Sequence, residues 1–424
     1  MAGILFASKR FSLAFLCYLL NNMDMVKKIK SLEHGDPQSF LVRGGYQRTQ
    51  YLEANEPIYM TSGFVYESAE QAEAAFKGEN NNYIYSRYAN PSIHIVEEKL
   101  KKLEGAEGCI MTATGMAAVY AGLICSLKKG DRVVAAKQLF YSCYYIMQKL
   151  LPNWGIETEF VDGGDLSQWE KALKRPANMV FFESPTNPNL QIFDITAISD
   201  MAHKAGARVM VDNVFATPCY QRPLELGADI VVYSATKHID GQGRCLGGAI
   251  LADEDFIENH LRPFVRHTGP GLSPFNAWLL SKGLETLQIR VDAMSKNTHE
   301  IAIALEKHPA IAALRYPGVA SHPQHALAKR QMTGFGSLLA FDLKKNSKKQ
   351  AFKFLNRLHL IDISNNLGDS KSLITHPATT THSKLLDEER VEQKIFDGTL
   401  RLSVGLEAVQ DIINDLCQAL EDIN

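Results

Sequence analysis

The sequence predicts an α/β protein built on a mostly parallel sheet flanked by helices, with a smaller C-terminal α/β domain. Three observations predict it. Short continuous apolar runs of strand length recur between about Asn80 and Ala252. The stretches between them have helical length and patterning, and beyond about Pro274 helical patterns take over. Strands that are apolar on both faces belong in a parallel sheet covered by helices.

Before Asn80 the chain has few strand or helix signals, so residues 25–79 read as an arm that packs on a neighbour. Gly115 to Leu127 is small and apolar, suited to a buried helix, and Arg132 to Ala136 is a β-branched run. Ser142 to Leu151 is amphipathic; Ile156 to Val161, Met179 to Glu183, Arg208 to Asp212 and Asp229 to Tyr233 repeat the strand pattern. Asp194 to Ala205 is one of the intervening helices. Residues 80–273 therefore form the main domain. Helical patterns run through Arg290 and Glu306, and a short βα unit follows, which assigns 274–424 to the smaller domain.

The first 24 residues differ. Lys9 and Arg10 precede an apolar run from Phe11 to Leu20, too short for a bilayer but similar to a signal-peptide core. A small-residue cleavage site is missing, so the preferred reading is a start placed too early, with Met23 or Met25 as the beginning.

At 424 residues the chain is long enough for roughly two or three domains. With 46% apolar and 22% charged residues it can bury a sizeable core without disulfides or metals. A net charge of -2 supplies no electrostatic footprint for nucleic acid or an anionic membrane, so neither is expected as a partner. Seven scattered cysteines form no Cys-x-x-Cys pair, and a reducing cytoplasm fits them. The nearest approach to a metal pair is His322 and His325; their polar neighbours make them read as solvated surface groups, and no metal is expected.

In a parallel sheet, ligands sit at the carboxyl ends of the strands. Three such ends carry polar residues: Glu183-Ser184-Pro185-Thr186-Asn187-Pro188, Asp212-Asn213, and Ser234-Ala235-Thr236-Lys237. A lysine at the mouth of a buried strand loses solvation, which favours its neutral, nucleophilic amine. Ser234 and Thr236 put hydroxyls beside it, and the glycine-rich run from Gly241 to Gly248 lets backbone approach a flat ligand. Most strand-end lysines are simply solvated, and Lys237 alone does not exclude that. A buried Asp212 needs a partner; a pyridinium nitrogen would serve, as would a helix N-terminus or a salt bridge. Gly115 and Met116 open a helix whose N–H groups favour a phosphate, although a structural turn is the commoner cause of such a glycine. The combination, in this order and within one sheet domain, points to a phosphate-bearing cofactor on Lys237.

Tyr233-Ser-Ala-Thr-Lys-His238, Val211-Asp-Asn213 and Glu183-Ser-Pro-Thr-Asn-Pro188 resemble the Cys/Met-metabolism pyridoxal-phosphate enzymes of transferase fold type I. The resemblance runs from about Ser39 to Val409. It implies pyridoxal 5'-phosphate held as a Schiff base on Lys237, Asp212 on the ring nitrogen, and Gly115, Met116, Ser234 and Thr236 on the phosphate. Asn187 falls on the ring-hydroxyl side. Tyr85 and Arg87 match a segment that reaches the neighbouring subunit's phosphate, which implies at least a dimer and an expected tetramer. Arg401 matches the arginine that forks onto a substrate α-carboxylate. Phe140 stands where many members stack a tyrosine over the ring, and Tyr141 replaces a frequent glycine. The missing hydroxyl argues against a lyase.

Within the family, Asn366-Leu-Gly-Asp369, Thr375 to His382, Gly241 to Cys245 and Thr268 to Trp278 are most similar to sulfhydrylases that act on succinylated homoserine. Asn366 is therefore expected on the substrate, and Arg244 is a candidate cation for the succinyl carboxylate. Cystathionine synthesis, an acetyl ester or methionine lysis are the alternatives. Outside the family, Ser234-Ala-Thr-Lys237 and His267-Thr-Gly269 mimic penicillin-binding serine enzymes. That motif requires a helix, whereas a strand precedes Ser234 and glycines follow.

Overall fold

The computed structural model describes residues 35–421; the leader run, Cys17, Met23 and Met25 lie outside them. Seven strands form the large sheet: β1 (Gly108–Thr112), β2 (Arg132–Ala136), β3 (Glu157–Val161), β4 (Met179–Glu183), β5 (Arg208–Asp212), β6 (Ile230–Ser234) and β7 (Gly248–Ala252). Their order is β1-β7-β6-β5-β4-β2-β3. Neighbours from β6 to β3 pair parallel, and β7 alone runs against both of its neighbours.

The continuous apolar runs have a plain cause. Val133, Ala135, Phe181, Met210, Ile230 and Val232 pack on one face with helix Gly115–Ile124. Their alternates Val134, Val180, Phe182, Val209 and Val211 pack on the other with Trp169, Ile195 and Ile198. Period-two alternation thus feeds two cores, so the interior positions of the central strands are apolar on both faces, while the edge strand β3 keeps Glu157, Thr158 and Glu159. Each fully buried Val or Phe contributes roughly 1.5–3 kcal/mol. The same alternation aims the last residues of β4, β5 and β6, namely Glu183, Asp212 and Ser234, at the face covered by helix Gly115–Ile124.

The second sheet has five strands: β8 (Ile311–Arg315), β9 (Leu338–Leu343), β10 (Asp362–Ile363), β11 (Leu373–Thr375) and β12 (Thr399–Ser403), ordered β10-β11-β12-β9-β8. All pairs except β10–β11 are antiparallel. Helices Leu287–Glu306 and Val409–Glu421 cover it through Ile301, Leu305, Ile412 and Leu416. This region holds more strand than the short βα unit expected, because β10 and β11 are two and three residues long and show no period.

Several expected elements shift. The helix from Gly115 ends at Ile124 and not at Leu127, and the strand expected over 229–233 spans Ile230–Ser234. Strands β1 and β7 are not among the expected strands although both are short apolar runs; β7 directly follows a glycine-rich run, and its antiparallel direction depends on sheet order. His322 is buried, not solvated, and burial pushes its imidazole down to about 4. Its Nδ1 accepts from Gln324 N, while His325 Nδ1 lies 2.7 Å from Pro317 O, so a turn closes over both rings.

Ahead of the sheet, Glu56 anchors the N-terminal segment. Its carboxylate accepts from Ser281 Oγ at 2.6 Å and Lys282 Nζ at 2.8 Å. Beyond it, Asn90 Nδ2 donates to Tyr59 O and Ser86 Oγ, which braces the stretch carrying Tyr85 and Arg87. Among the described residues, no helix is long and apolar enough to cross a membrane.

Candidate active site

The carboxyl ends of β4, β5 and β6 meet helix Gly115–Ile124 around a cavity of about 250 Å³. Gly115, Met116, Phe140, Asn187, Asp212, Ser234, Thr236, Lys237 and Arg401 all line it. Asn366 joins through its side chain, since Lys237 Nζ donates to Asn366 Oδ1 at 2.6 Å. Ten of the thirteen residues expected from sequence are thereby brought together.

Helix Gly115–Ile124 begins where the cavity needs an anion. Thr114 caps it: Ala117 N donates to Thr114 Oγ1 at 3.0 Å, and Ala118 N donates to Thr114 O. The N–H groups of Gly115 and Met116 precede the helical ladder and have no acceptor within it. A Cβ on Gly115 would lie 2.6 Å from Ser234 Cβ and 2.8 Å from Ser234 Oγ, so only glycine lets this helix start lie against the strand end. Thr236 Oγ1 exchanges hydrogen bonds with Gly247, which fixes the turn after β6.

Lys237 is mostly buried, and burial, aided by the nearby Arg401 charge, lowers its amine to about 8. Asp212 and Glu183 are register partners at the ends of β5 and β4. Burial raises both carboxyls, and Asp212 raises Glu183 further by like charge. Asp212 Oδ1 accepts from Val214 N at 3.0 Å. Arg401 on β12 is 1% exposed and donates Nη1 to Asn187 Oδ1 and Nη2 to Asn365 O, each at 2.9 Å. Its Nε has no partner among the described residues, and burial lowers the guanidinium to about 10. A buried cation without a carboxylate is costly, and one that faces a cavity marks an anion site.

Three expected residues stand elsewhere. Tyr85 is 42% exposed, Arg87 donates to Arg266 O and stacks on Tyr85 and Tyr88, and neither lines the cavity of its own chain. Arg244 lies outside the cavity, where Nε donates to Asp240 Oδ1 at 2.9 Å and Nη2 to Asp240 O at 3.0 Å. Ser234 closes a strand rather than opening a helix, which removes the serine-enzyme alternative. Sequence reasoning missed Cys143, Glu183 and Thr381 as lining residues. Glu183 had a signal, being the same kind of strand-end carboxyl as Asp212.

The chain matches the model of the Cys/Met metabolism PLP-dependent enzymes over residues 38–421. It belongs to that family. The PLP-dependent enzyme is 51% identical to an O-succinylhomoserine sulfhydrylase of Mycobacterium tuberculosis (strain ATCC 25618 / H37Rv) over 93% of this chain and 98% of that protein. It is 43% identical to an L-methionine gamma-lyase of Porphyromonas gingivalis over 87% of this chain and 92% of the relative. A crystal structure from Campylobacter jejuni, provisionally named an O-acetylhomoserine (thiol)-lyase and containing N'-pyridoxyl-lysine-5'-monophosphate, superposes with a TM-score of 0.87. It shares 34% identity over 92% of this chain and 100% of that one.

The residues present fit pyridoxal phosphate. The helix start that Gly115 lets lie against Ser234, its two N–H groups without an acceptor in the helix, and the Ser234 hydroxyl with Thr236 lining the cavity beside it suit a phosphate. Asp212 suits a ring nitrogen and a neutral Lys237 amine suits its aldehyde.

Proposed function

We propose that this PLP-dependent enzyme is an O-succinyl-L-homoserine sulfhydrylase, replacing succinate at Cγ by sulfide to give L-homocysteine. The choice within the family is carried by the 51% identity to a relative of that name along nearly the whole chain. Phe140 supports it, because an aromatic face without a hydroxyl removes the group expected of a lyase.

When bound, the cofactor supplies an electron sink for charge developing at the substrate α-carbon. Lys237, Asp212, Gly115, Met116, Ser234, Thr236 and Asn187 would hold it. Arg401, a buried cation lining the cavity with no carboxylate beside it, receives the substrate α-carboxylate. Lys237 takes the Cα proton and manages proton movement at Cβ, and its lowered amine makes that exchange workable near neutral pH. Asn366 holds the amine of Lys237 when it is not covalently engaged, and its main chain accepts from Arg401 Nη2, which ties base and carboxylate site together. Succinate leaves with the electron pair of its ester C–O bond at Cγ, and sulfide supplies the pair for the new C–S bond.

We also propose a homo-oligomer, at least a dimer and expected to be a tetramer built from dimers, in the cytoplasm. Tyr85 and Arg87 stand outside their own cavity on a braced segment, which supports a role toward a neighbour's site. We propose 80–273 as the cofactor-binding domain, 274–424 as the smaller one and 25–79 as the arm; one sheet within each of the first two supports that division.

Purified protein offered succinyl-, acetyl- and phosphohomoserine with sulfide or cysteine tests the proposal. Homocysteine from the succinyl ester and sulfide should dominate by at least about tenfold in kcat/KM, near 1.4 kcal/mol. Preferred formation of a thioether with cysteine, or 2-oxobutanoate release from methionine, would replace it with a relative's activity.

A further inference from the structure

Glu183 is not needed by the proton transfers just described, yet it lines the cavity. It ends β4 directly opposite Asp212 on β5, and parallel register makes both side chains share one face. Their oxygens and Cys143 Sγ all lie within 4.8 Å of one another. Glu183 is 4% exposed, and no cation stands among the groups that perturb it: burial and Asp212 raise it, while the backbone N–H groups of Phe140 and Asn187 lower it.

Those two donors give the carboxyl its meaning. Phe140 N donates to Glu183 Oε1 at 2.6 Å, and Phe140 opens the helix Tyr141–Tyr145 without a side-chain cap of its own. Asn187 offers Arg401 its Oδ1 through the other end of the residue. One carboxyl therefore touches the residue whose ring faces the cavity, the residue on the substrate-arginine side, and the neighbourhood of the aspartate for the ring nitrogen. Two buried carboxylates this close do not both ionise at moderate cost. Asp212 is the member placed to keep its charge against a pyridinium, so Glu183 is the member that keeps its proton.

We propose that Glu183 is a positioning residue for the cofactor ring, a clamp that holds Phe140 and Asn187 in place beside Asp212. It rests on the assignment of the cofactor and not on that of sulfur donor or ester. A neutral acid has one acceptor oxygen and one donor, and glutamine reproduces that pattern whereas alanine provides neither.

The test compares Glu183→Gln and Glu183→Ala holoenzymes for the dissociation constant of pyridoxal phosphate and the visible circular dichroism of the bound ring, with the urea midpoint as a check of folding. Gln is expected to leave the dissociation constant within about threefold and the dichroism unchanged, and Ala to raise the constant at least about tenfold and alter the band. In a Phe140→Ala background the Glu183→Ala effect should shrink, because the part of the clamp on the Phe140 main chain acts on the cofactor through the ring that alanine removes. Wild-type behaviour of Glu183→Ala overturns the proposal, as does a Gln variant as impaired as Ala or full additivity with Phe140→Ala. If Glu183→Ala does not fold, Gln decides: normal affinity and dichroism uphold the clamp, and loss of either overturns it.

Discussion

The lowered amine of Lys237 has a measurable consequence in the capture of the cofactor. Only the neutral amine attacks an aldehyde, so the rate of covalent capture by apoenzyme follows the neutral fraction of Lys237. With the amine at about 8, roughly a quarter is neutral at about pH 7.5; at the ordinary 10.5 only about 0.1% would be. The site therefore gains roughly 200-fold in reactive amine at neutral pH, equivalent to about 3 kcal/mol of cation desolvation and repulsion. Stopped-flow absorbance on mixing apoenzyme with pyridoxal phosphate should give a rate that climbs with pH and levels off near 8. Arg401→Met removes the second cause of the shift, and its midpoint should move upward. A rate that rises without a bend to about pH 10, or an Arg401→Met midpoint that falls, would refute the reasoning.

Arg401→Ala should raise KM for the amino-acid substrate far more than it changes cofactor affinity. Losing two charge-assisted bonds costs about 3–6 kcal/mol, some two to four decades in kcat/KM, and rescue by added guanidine would identify the lost group. Gly115→Ala should weaken cofactor binding by at least about tenfold and also lower the urea midpoint of apoenzyme, by an overpacking cost of about 1–3 kcal/mol, since its Cβ would press on Ser234; equilibrium dialysis reads the binding. Arg244→Ala should leave the succinyl-over-acetyl preference within about twofold, because Asp240 occupies the guanidinium outside the cavity; a collapse of preference would bring Arg244 into the site. His322 has a folded value lowered to about 4 from 6.5, so the unfolded chain binds its proton first and stability is lost as pH falls through about 6.5 toward 4. Replacing His322 by glutamine should flatten that part of the urea-midpoint profile, and an unchanged slope would show that the ring is not held neutral.

Much of the site was legible because its residues are local to strand ends. Lys237, Asp212 and Asn187 each follow an apolar run, and a strand buried on both faces must deliver its polar terminus to a cavity or to solvent. Arg401 was legible only by resemblance, since it lies within β12 of the second sheet, about 200 positions from the strand ends it serves. For Arg244 the glycine loop beside Lys237 suggests proximity to the site, while in the structure the arginine pairs with Asp240 four residues away. His322 misled for the reason opposite to Lys237: polar neighbours suggested solvent, and a turn buried the ring. Glu183 was passed over because a strand-end carboxyl has no evident chemistry until its neighbour is known.

By itself the sequence determined the alternation of strands and helices, the parallel character of the large sheet and the chemical identity of the site. Those properties follow from side-chain period, from the need to bury both faces of a strand, and from short motifs whose residues are close along the chain. Tertiary structure alone decided which carboxyl stands opposite Asp212, that Arg401 is buried beside the cavity, and that Tyr85 and Arg87 do not line the cavity of their own chain. The physical reason is register: strand pairing and helix docking place residues hundreds of positions apart at hydrogen-bonding distance, and no local pattern records which partners they meet.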